Sequence, residues 1–178
     1  MRVLFTGSSG FIGSNVLEYM LDKTDCDFVC ICSWGHKGTP LNLQFTVGNP
    51  RVKIVYHDLT GEMPDLGYFD HILNLASESH VDRSIAEPYS FMINNIQSTA
   101  RLLEYARKYT PKVFLQFSTD EVYGAMDHKE WDILNPSNPY AGSKAAQEVI
   151  CIPYWKTYHI PLVITNSNNI VGKNQNPE

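Results

Sequence analysis

Short runs of β-branched and aromatic residues alternate with longer segments of helical period along the whole chain. A parallel sheet flanked by helices produces this pattern. The runs predict strands at 2–6, 27–32, 52–57, 70–75, 112–118 and 161–165. Most are continuously apolar rather than alternating, as strands covered on both faces are. Helical spacing predicts helices over 11–22, about 89–109 and about 139–158. Phe91, Ile93, Ile96, Leu102, Leu103 and Tyr105 give the second helix an imperfect apolar stripe, and Pro111 lies just beyond its end. Glycines and prolines mark 33–50 as an irregular connection, and 124–138, with Pro136, as another. Neither an internal repeat nor a linker interrupts the pattern. The expectation is one α/β domain over 1–178, a doubly wound, Rossmann-type parallel sheet with helices on both faces. Ligands of such sheets bind beyond the carboxyl ends of the strands, where strand order reverses. Functional residues are therefore expected directly after strands.

Composition narrows the partners. The 178 residues are 43% hydrophobic and 19% charged, enough for a chain of this size to bury roughly 70% of its unfolded surface. Fourteen Lys and Arg against 19 Asp and Glu give a net charge of -5, so nothing draws the chain as a whole to nucleic acid or to an anionic membrane. No apolar run approaches the roughly 18 residues of a membrane span. The first run breaks at Gly7, before a signal-peptide core could form, and a cytoplasmic location is expected. Cys26, Cys30, Cys32 and Cys151 read as reduced core residues, with Cys30 and Cys32 on one face of a strand. Histidines 36, 57, 71, 80, 128 and 159 are scattered singly, so no metal site is expected.

The first strand runs into Gly7-Ser8-Ser9-Gly10-Phe11-Ile12-Gly13 and then a helix. Glycines in that context permit a tight turn and close approach of the backbone to a pyrophosphate, while the helix start offers free N–H groups. An acid at the end of the second strand normally holds the ribose 2′-hydroxyl of NAD. Cys32, Ser33 and Trp34 stand there instead, followed by His36 and Lys37, which suit a 2′-phosphate or simply a solvated loop. These residues leave NAD and NADP both open. Asp58 and Leu59 follow the third strand, where Asp58 either meets the adenine or closes a turn. Ser118-Thr119-Asp120-Glu121 follows the fifth strand and offers a hydroxyl and two carboxylates, although adjacent acids also cap helices. Tyr140 and Lys144 lie one helical turn apart, behind Asn138 as cap and Pro139 as first helical residue. An ammonium one turn away stabilises a phenolate and lets a tyrosine act as a base near neutral pH.

In this order the residues resemble the extended short-chain dehydrogenase/reductase superfamily, and more narrowly the nucleotide-sugar 4,6-dehydratases of the dTDP-glucose 4,6-dehydratase type. The narrower likeness rests on 75–84 (LASESHVDRS), 117–124 (FSTDEVYG) and 140–146 (YAGSKAA). Epimerases and decarboxylases of the superfamily share the glycine loop and the Tyr/Lys pair but usually lack the Asp-Glu step.

The resemblance implies that Tyr140, with Lys144 and Thr119, removes the proton of the sugar 4-hydroxyl as hydride passes from C4 to NAD. Glu121 then takes the acidified C5 proton, Asp120 protonates the departing 6-hydroxyl, and hydride returns to C6. It implies further that Gly7, Gly10, Phe11, Ile12, Gly13, Ser33, Asp58, Leu59, Leu75, Ala76, Ser77, Asn95, Tyr140 and Lys144 hold the cofactor, with Asn95 helping to position the lysine. Ser79, His80, Thr119, Asn168 and Asn169 are implied as contacts to a nucleotide-sugar substrate. A homodimer through the 89–109 and 139–158 helices is implied as well. Members of the family continue past the equivalent of Glu178 into a C-terminal half that contacts the nucleotide base and covers the sugar. The chain is thus expected to bind cofactor and to turn over weakly alone; a non-catalytic dinucleotide-binding module, or a nucleotide-sugar epimerase or decarboxylase, is the competing reading.

Overall fold

The computed structural model describes residues 1–34, 38–125 and 127–175; His36 and Lys37 lie outside them. Six strands form a single parallel sheet, β1 (Arg2–Thr6), β2 (Asp27–Cys32), β3 (Val52–Tyr56), β4 (His71–Asn74), β5 (Val113–Thr119) and β6 (Leu162–Ser167), in the order β3-β2-β1-β4-β5-β6. The order reverses between β1 and β4, which places the ligand crevice of a doubly wound sheet beyond Thr6 and Asn74.

Apolar residues at consecutive strand positions point to opposite faces, and both faces are covered. Val3, Phe5, Phe28 and Cys30 pack with Leu17 of α1 (Phe11–Lys23) on one side. Leu4, Val29, Ile31, Ile72 and Phe114 pack on the other with Leu102 and Leu103 of α4 (Ser98–Tyr109) and Cys151 of α5 (Pro139–Tyr158). Each such phenylalanine or leucine contributes roughly 1.5–3 kcal/mol by burial. The four cysteines are all free and buried, the core role their runs predict.

The 139–158 helix begins where its cap chemistry places it: the Asn138 carboxamide oxygen accepts the Ala141 N–H at 2.8 Å, and Pro139 occupies the first helical position. The predicted 89–109 helix is instead composite. It runs as α3 (Pro88–Met92), a wide five-residue π turn (Ile93–Gln97) and α4. The extra residue in that turn shifts the helical phase, which is why the apolar stripe is imperfect, and Asn95 within it is fully buried. A short α2 (Val81–Ala86) precedes it, capped by the His80 ring. The 33–50 connection contains a short 3-10 helix (Pro40–Thr46), and among the described residues no helix joins β3 to β4.

Candidate active site

A cleft of about 780 Å³ opens over the carboxyl ends of the strands. Each strand delivers residues to it: the glycine turn after β1, Cys32 and Ser33 from β2, Asp58 and Leu59 from β3, Leu75 to His80 from β4, Thr119 and Glu121 from β5, Asn168 and Asn169 from β6. Tyr140 and Lys144 reach in from α5, and Asn95 from the π turn.

The glycine turn is as tight as its composition implies. Gly7 has φ +76, and a Cβ on it would fall 2.6 Å from the Ala76 nitrogen; a Cβ on Gly13 would fall 2.0 Å from the Gly7 carbonyl oxygen. No side chain caps α1. Its first-turn amides, those of Phe11, Ile12 and Gly13, have no intrahelical acceptor and line the cleft, the arrangement that binds an anion.

Lys144 is only 3% exposed, and its Nζ donates to the Phe117 carbonyl at 2.6 Å. Burial lowers its pKa from 10.5 to about 8, against an opposing pull from Glu148 one turn on. Glu148 is itself buried, which raises its pKa, and its Oε1 accepts from Asn166 Nδ2 at 2.6 Å. Asn166 Nδ2 also reaches the Thr119 carbonyl, at 3.3 Å. The Tyr140 N–H donates to the Ser84 hydroxyl at 3.1 Å, and that hydroxyl donates to the Val81 carbonyl at 2.6 Å, so α2 holds the start of α5.

Thr119 ends β5 and caps a short 3-10 helix (Asp120–Tyr123): its hydroxyl oxygen accepts the Glu121 N–H at 3.3 Å and its proton goes to Asp120 Oδ1 at 3.2 Å. Glu121 Oε2 accepts from Asn138 Nδ2 at 3.2 Å. One asparagine thereby caps α5 and holds the carboxylate beside it.

Asn95 is bonded to residues on either side of the lysine in α5, Ser143 and Gln147. Its Nδ2 donates to the Ser143 hydroxyl at 2.8 Å and to the Glu78 carbonyl at 3.1 Å, while its Oδ1 accepts the Glu78 N–H at 2.8 Å. The π turn aims it at the β4 loop and at the neighbour of Lys144. Asp120, half-buried, accepts the Thr119 hydroxyl proton, and Glu121 lines the cleft. His80 lines the cleft and also caps α2, its Nδ1 accepting the Arg83 N–H at 3.1 Å. Ser77, Ser79, Asn168 and Asn169 line the cleft as exposed residues. Sequence reasoning missed Glu78, a cleft-lining residue whose backbone is bonded to Asn95, and Glu148 and Asn166, which brace the site from behind. Glu148 was open to detection, since it sits four residues after Lys144 on the same helical face.

Residues 4–178 match the model of the GDP-mannose 4,6-dehydratase family. The chain belongs to that family. It is 40% identical over 184 residues to the low-salt glycan biosynthesis protein Agl12 of Haloferax volcanii, covering 100% of this chain and 59% of that protein. The dTDP-glucose 4,6-dehydratase DesIV of Streptomyces venezuelae, crystallised with NAD, superposes with a TM-score of 0.87 at 35% identity over 93% of this chain and 55% of that one. A UDP-glucuronic acid 4-epimerase of Bacillus cereus, also with NAD, superposes with a TM-score of 0.89 at 29% identity, over 99% and 59%. The chain thus spans somewhat more than half the length of these relatives. The family likeness is to nucleotide-sugar dehydratases and epimerases alike.

Proposed function

We propose that this chain is the dinucleotide-binding part of an NAD-dependent nucleotide-sugar 4,6-dehydratase. The observation that carries the reading is Glu121, a carboxylate on the cleft wall beside Thr119 and held by the cap of the helix that bears Tyr140. C4 epimerisation needs only the oxidation and reduction of C4. Dehydration also needs a base for the C5 proton, and Glu121 is suited to that.

The residues fit the cofactor. The uncapped first turn of α1 and the glycine positions, whose missing Cβ atoms leave room only for backbone, suit a pyrophosphate, and Leu75 to Ser77 form the wall next to it. NAD, when bound, supplies the acceptor and later donor of a hydride. Lys144, desolvated but opposite Glu148, supplies the positive field that stabilises a Tyr140 phenolate, and the phenolate takes the 4-hydroxyl proton. Glu121 takes the C5 proton. Asp120, whose carboxyl must turn from Thr119 toward the sugar, protonates the leaving 6-hydroxyl. Ser79, His80, Asn168 and Asn169 stand where a sugar diphosphate would lie across the cleft.

Exposed apolar side chains support a homodimer: Ile85 of α2, Tyr89 of α3, and Val149, Ile152 and Trp155 of α5, on helices that pack against one another.

Nucleotide-diphosphate hexoses incubated with the protein and NAD test the reading. A product lighter by one water supports it. A product of unchanged mass with inverted C4 overturns it in favour of an epimerase. Binding of NAD with no turnover favours the non-catalytic module.

A further inference from the structure

The adenosine end of the cleft is built around the last residue of β2. That residue is Cys32, and the His57 amide donates to its carbonyl at 3.0 Å, so the ends of β2 and β3 lie side by side. Both residues line the cleft, together with Ser33 and Asp58. The Cys32 side chain is 2% exposed, and its Sγ lies 3.5 Å from the Ser8 hydroxyl, under the glycine turn. A dinucleotide seated on that turn presents its adenosine ribose to this residue.

A carboxylate here would accept bonds from the ribose hydroxyls and repel a phosphate esterified at the 2′ position. Cys32 does neither. Burial pushes its thiol up, so the group is neutral at physiological pH, and sulfur is a weak acceptor. Asp58 is engaged in its own turn, its Oδ1 taking the N–H and the hydroxyl of Thr60 at 2.9 Å each. His57 adds an imidazole whose Nε2 is buried and has no hydrogen-bond partner among the described residues. Among the described residues, then, the end of β2 and its neighbour on β3 offer a neutral thiol, a serine hydroxyl and an imidazole, with the nearest carboxylate turned to its own backbone.

We infer that Cys32 makes the cleft tolerant of a 2′-phosphate, so that NADP binds with an affinity comparable to that of NAD. This rests on the dinucleotide reading above and deepens it by naming the residue that sets cofactor choice. NAD lacks the bidentate anchor that would favour it, and NADP lacks the like-charge penalty that would exclude it.

Calorimetric titration of the purified chain with NAD and, separately, with NADP tests the inference without requiring turnover. The expected dissociation constants lie within about tenfold of each other, and Cys32→Asp weakens NADP relative to NAD by about tenfold or more through repulsion of the phosphate. Cys32→Ser, neutral and close in size, keeps the wild-type ratio. A wild-type preference for NAD of more than about tenfold would overturn the inference and leave the dinucleotide reading standing. So would an unchanged ratio in a folded Cys32→Asp variant. Binding of neither cofactor would overturn the dinucleotide reading, and this inference with it.

Discussion

The Lys144 ammonium donates to the Phe117 carbonyl at 2.6 Å, joining the second turn of α5 to the end of β5 two residues before Thr119. Tyr140 and the Thr119–Glu121 turn come from separate elements. This bond, with the Asn138 bond to Glu121 and the Asn166 bonds to Glu148 and Thr119, locks those elements together. Lys144 is therefore a structural strut, and its burial carries a measurable cost.

That cost has a pH signature. The Lys144 pKa is about 8 in the folded protein against 10.5 for an ordinary lysine. Between these values the unfolded chain holds a proton that the native one has released, so this group makes stability rise with pH across the window. Below about pH 8 both states are protonated and the full cost stands, on the order of 3 kcal/mol. Thermal unfolding of wild type and Lys144→Met from pH 7 to pH 10 should show the wild type gaining stability relative to the variant as pH rises. Parallel curves would mean that the lysine is not desolvated as described.

Asn138→Ala removes the α5 cap and the donor to Glu121 together. Loss of such a cap costs about 1 kcal/mol, which in a chain of this length lowers Tm by roughly 2–4 °C. Asn138→Asp keeps an acceptor for the Ala141 N–H but sets a carboxylate against Glu121. Its Tm should recover at acidic pH, where one of the two carboxyls is protonated, and scanning calorimetry at two pH values distinguishes the variants.

Gly13→Ala should be far more damaging than an exposed helical Gly→Ala change. The new methyl would lie 2.0 Å from the Gly7 carbonyl oxygen, a backbone atom that cannot swing aside. Either the turn moves and dinucleotide binding is lost, or the chain loses about 2 kcal/mol or more of stability. Urea unfolding together with cofactor titration reads both outcomes, and a stable variant with normal binding would refute the packing described.

The inner strands were legible in the sequence because a strand covered on both faces is a continuous apolar run, and β1 shows this with Val3 and Phe5 on one face and Leu4 on the other; β3 was legible from its β-branched run although Ile54 and Tyr56 are exposed. The glycine turn and the Tyr140/Lys144 pair were legible because their chemistry is local to one turn or one helical repeat. The π turn at Ile93–Gln97 was not, since its extra residue answers to tertiary bonds from Asn95 to Ser143 and Glu78 that no local pattern encodes. The helix at Val81–Ala86 escaped as well: at six residues it is too short for a periodicity, and its cap is a histidine ring, not one of the usual capping side chains. Asn166 was invisible for a similar reason. Its partners, Glu148 and Thr119, lie 18 and 47 residues away.

The exposed apolar residues of α2, α3 and α5 predict self-association. Tyr89 is 76% and Val149 52% exposed in the isolated chain, and exposed apolar side chains on helices packed together are what an interface between subunits uses. Sedimentation should find a dimer at micromolar concentration. Tyr89→Glu combined with Val149→Glu should yield monomers with an unchanged fold, since neither side chain is buried. A wild-type monomer would show that this face has another use.

The assignment of roles around the sugar separates two variants by stage. Tyr140→Phe removes the phenolic proton acceptor, and the first oxidation should fall by about a thousandfold, within the range for a lost general base. Glu121→Gln keeps the size and the Asn138 contact but cannot take the C5 proton. Oxidation at C4 should therefore proceed and leave reduced cofactor standing, visible as lasting absorbance of the reduced nicotinamide, while water loss stops. The two carboxyl-bearing residues of the turn are assigned different stages. Asp120→Asn should slow departure of the hydroxyl without blocking C5 deprotonation, so exchange of the C5 hydrogen with solvent deuterium should continue. If Glu121→Gln and Tyr140→Phe both failed before any cofactor was reduced, Glu121 would belong to substrate binding and not to the elimination.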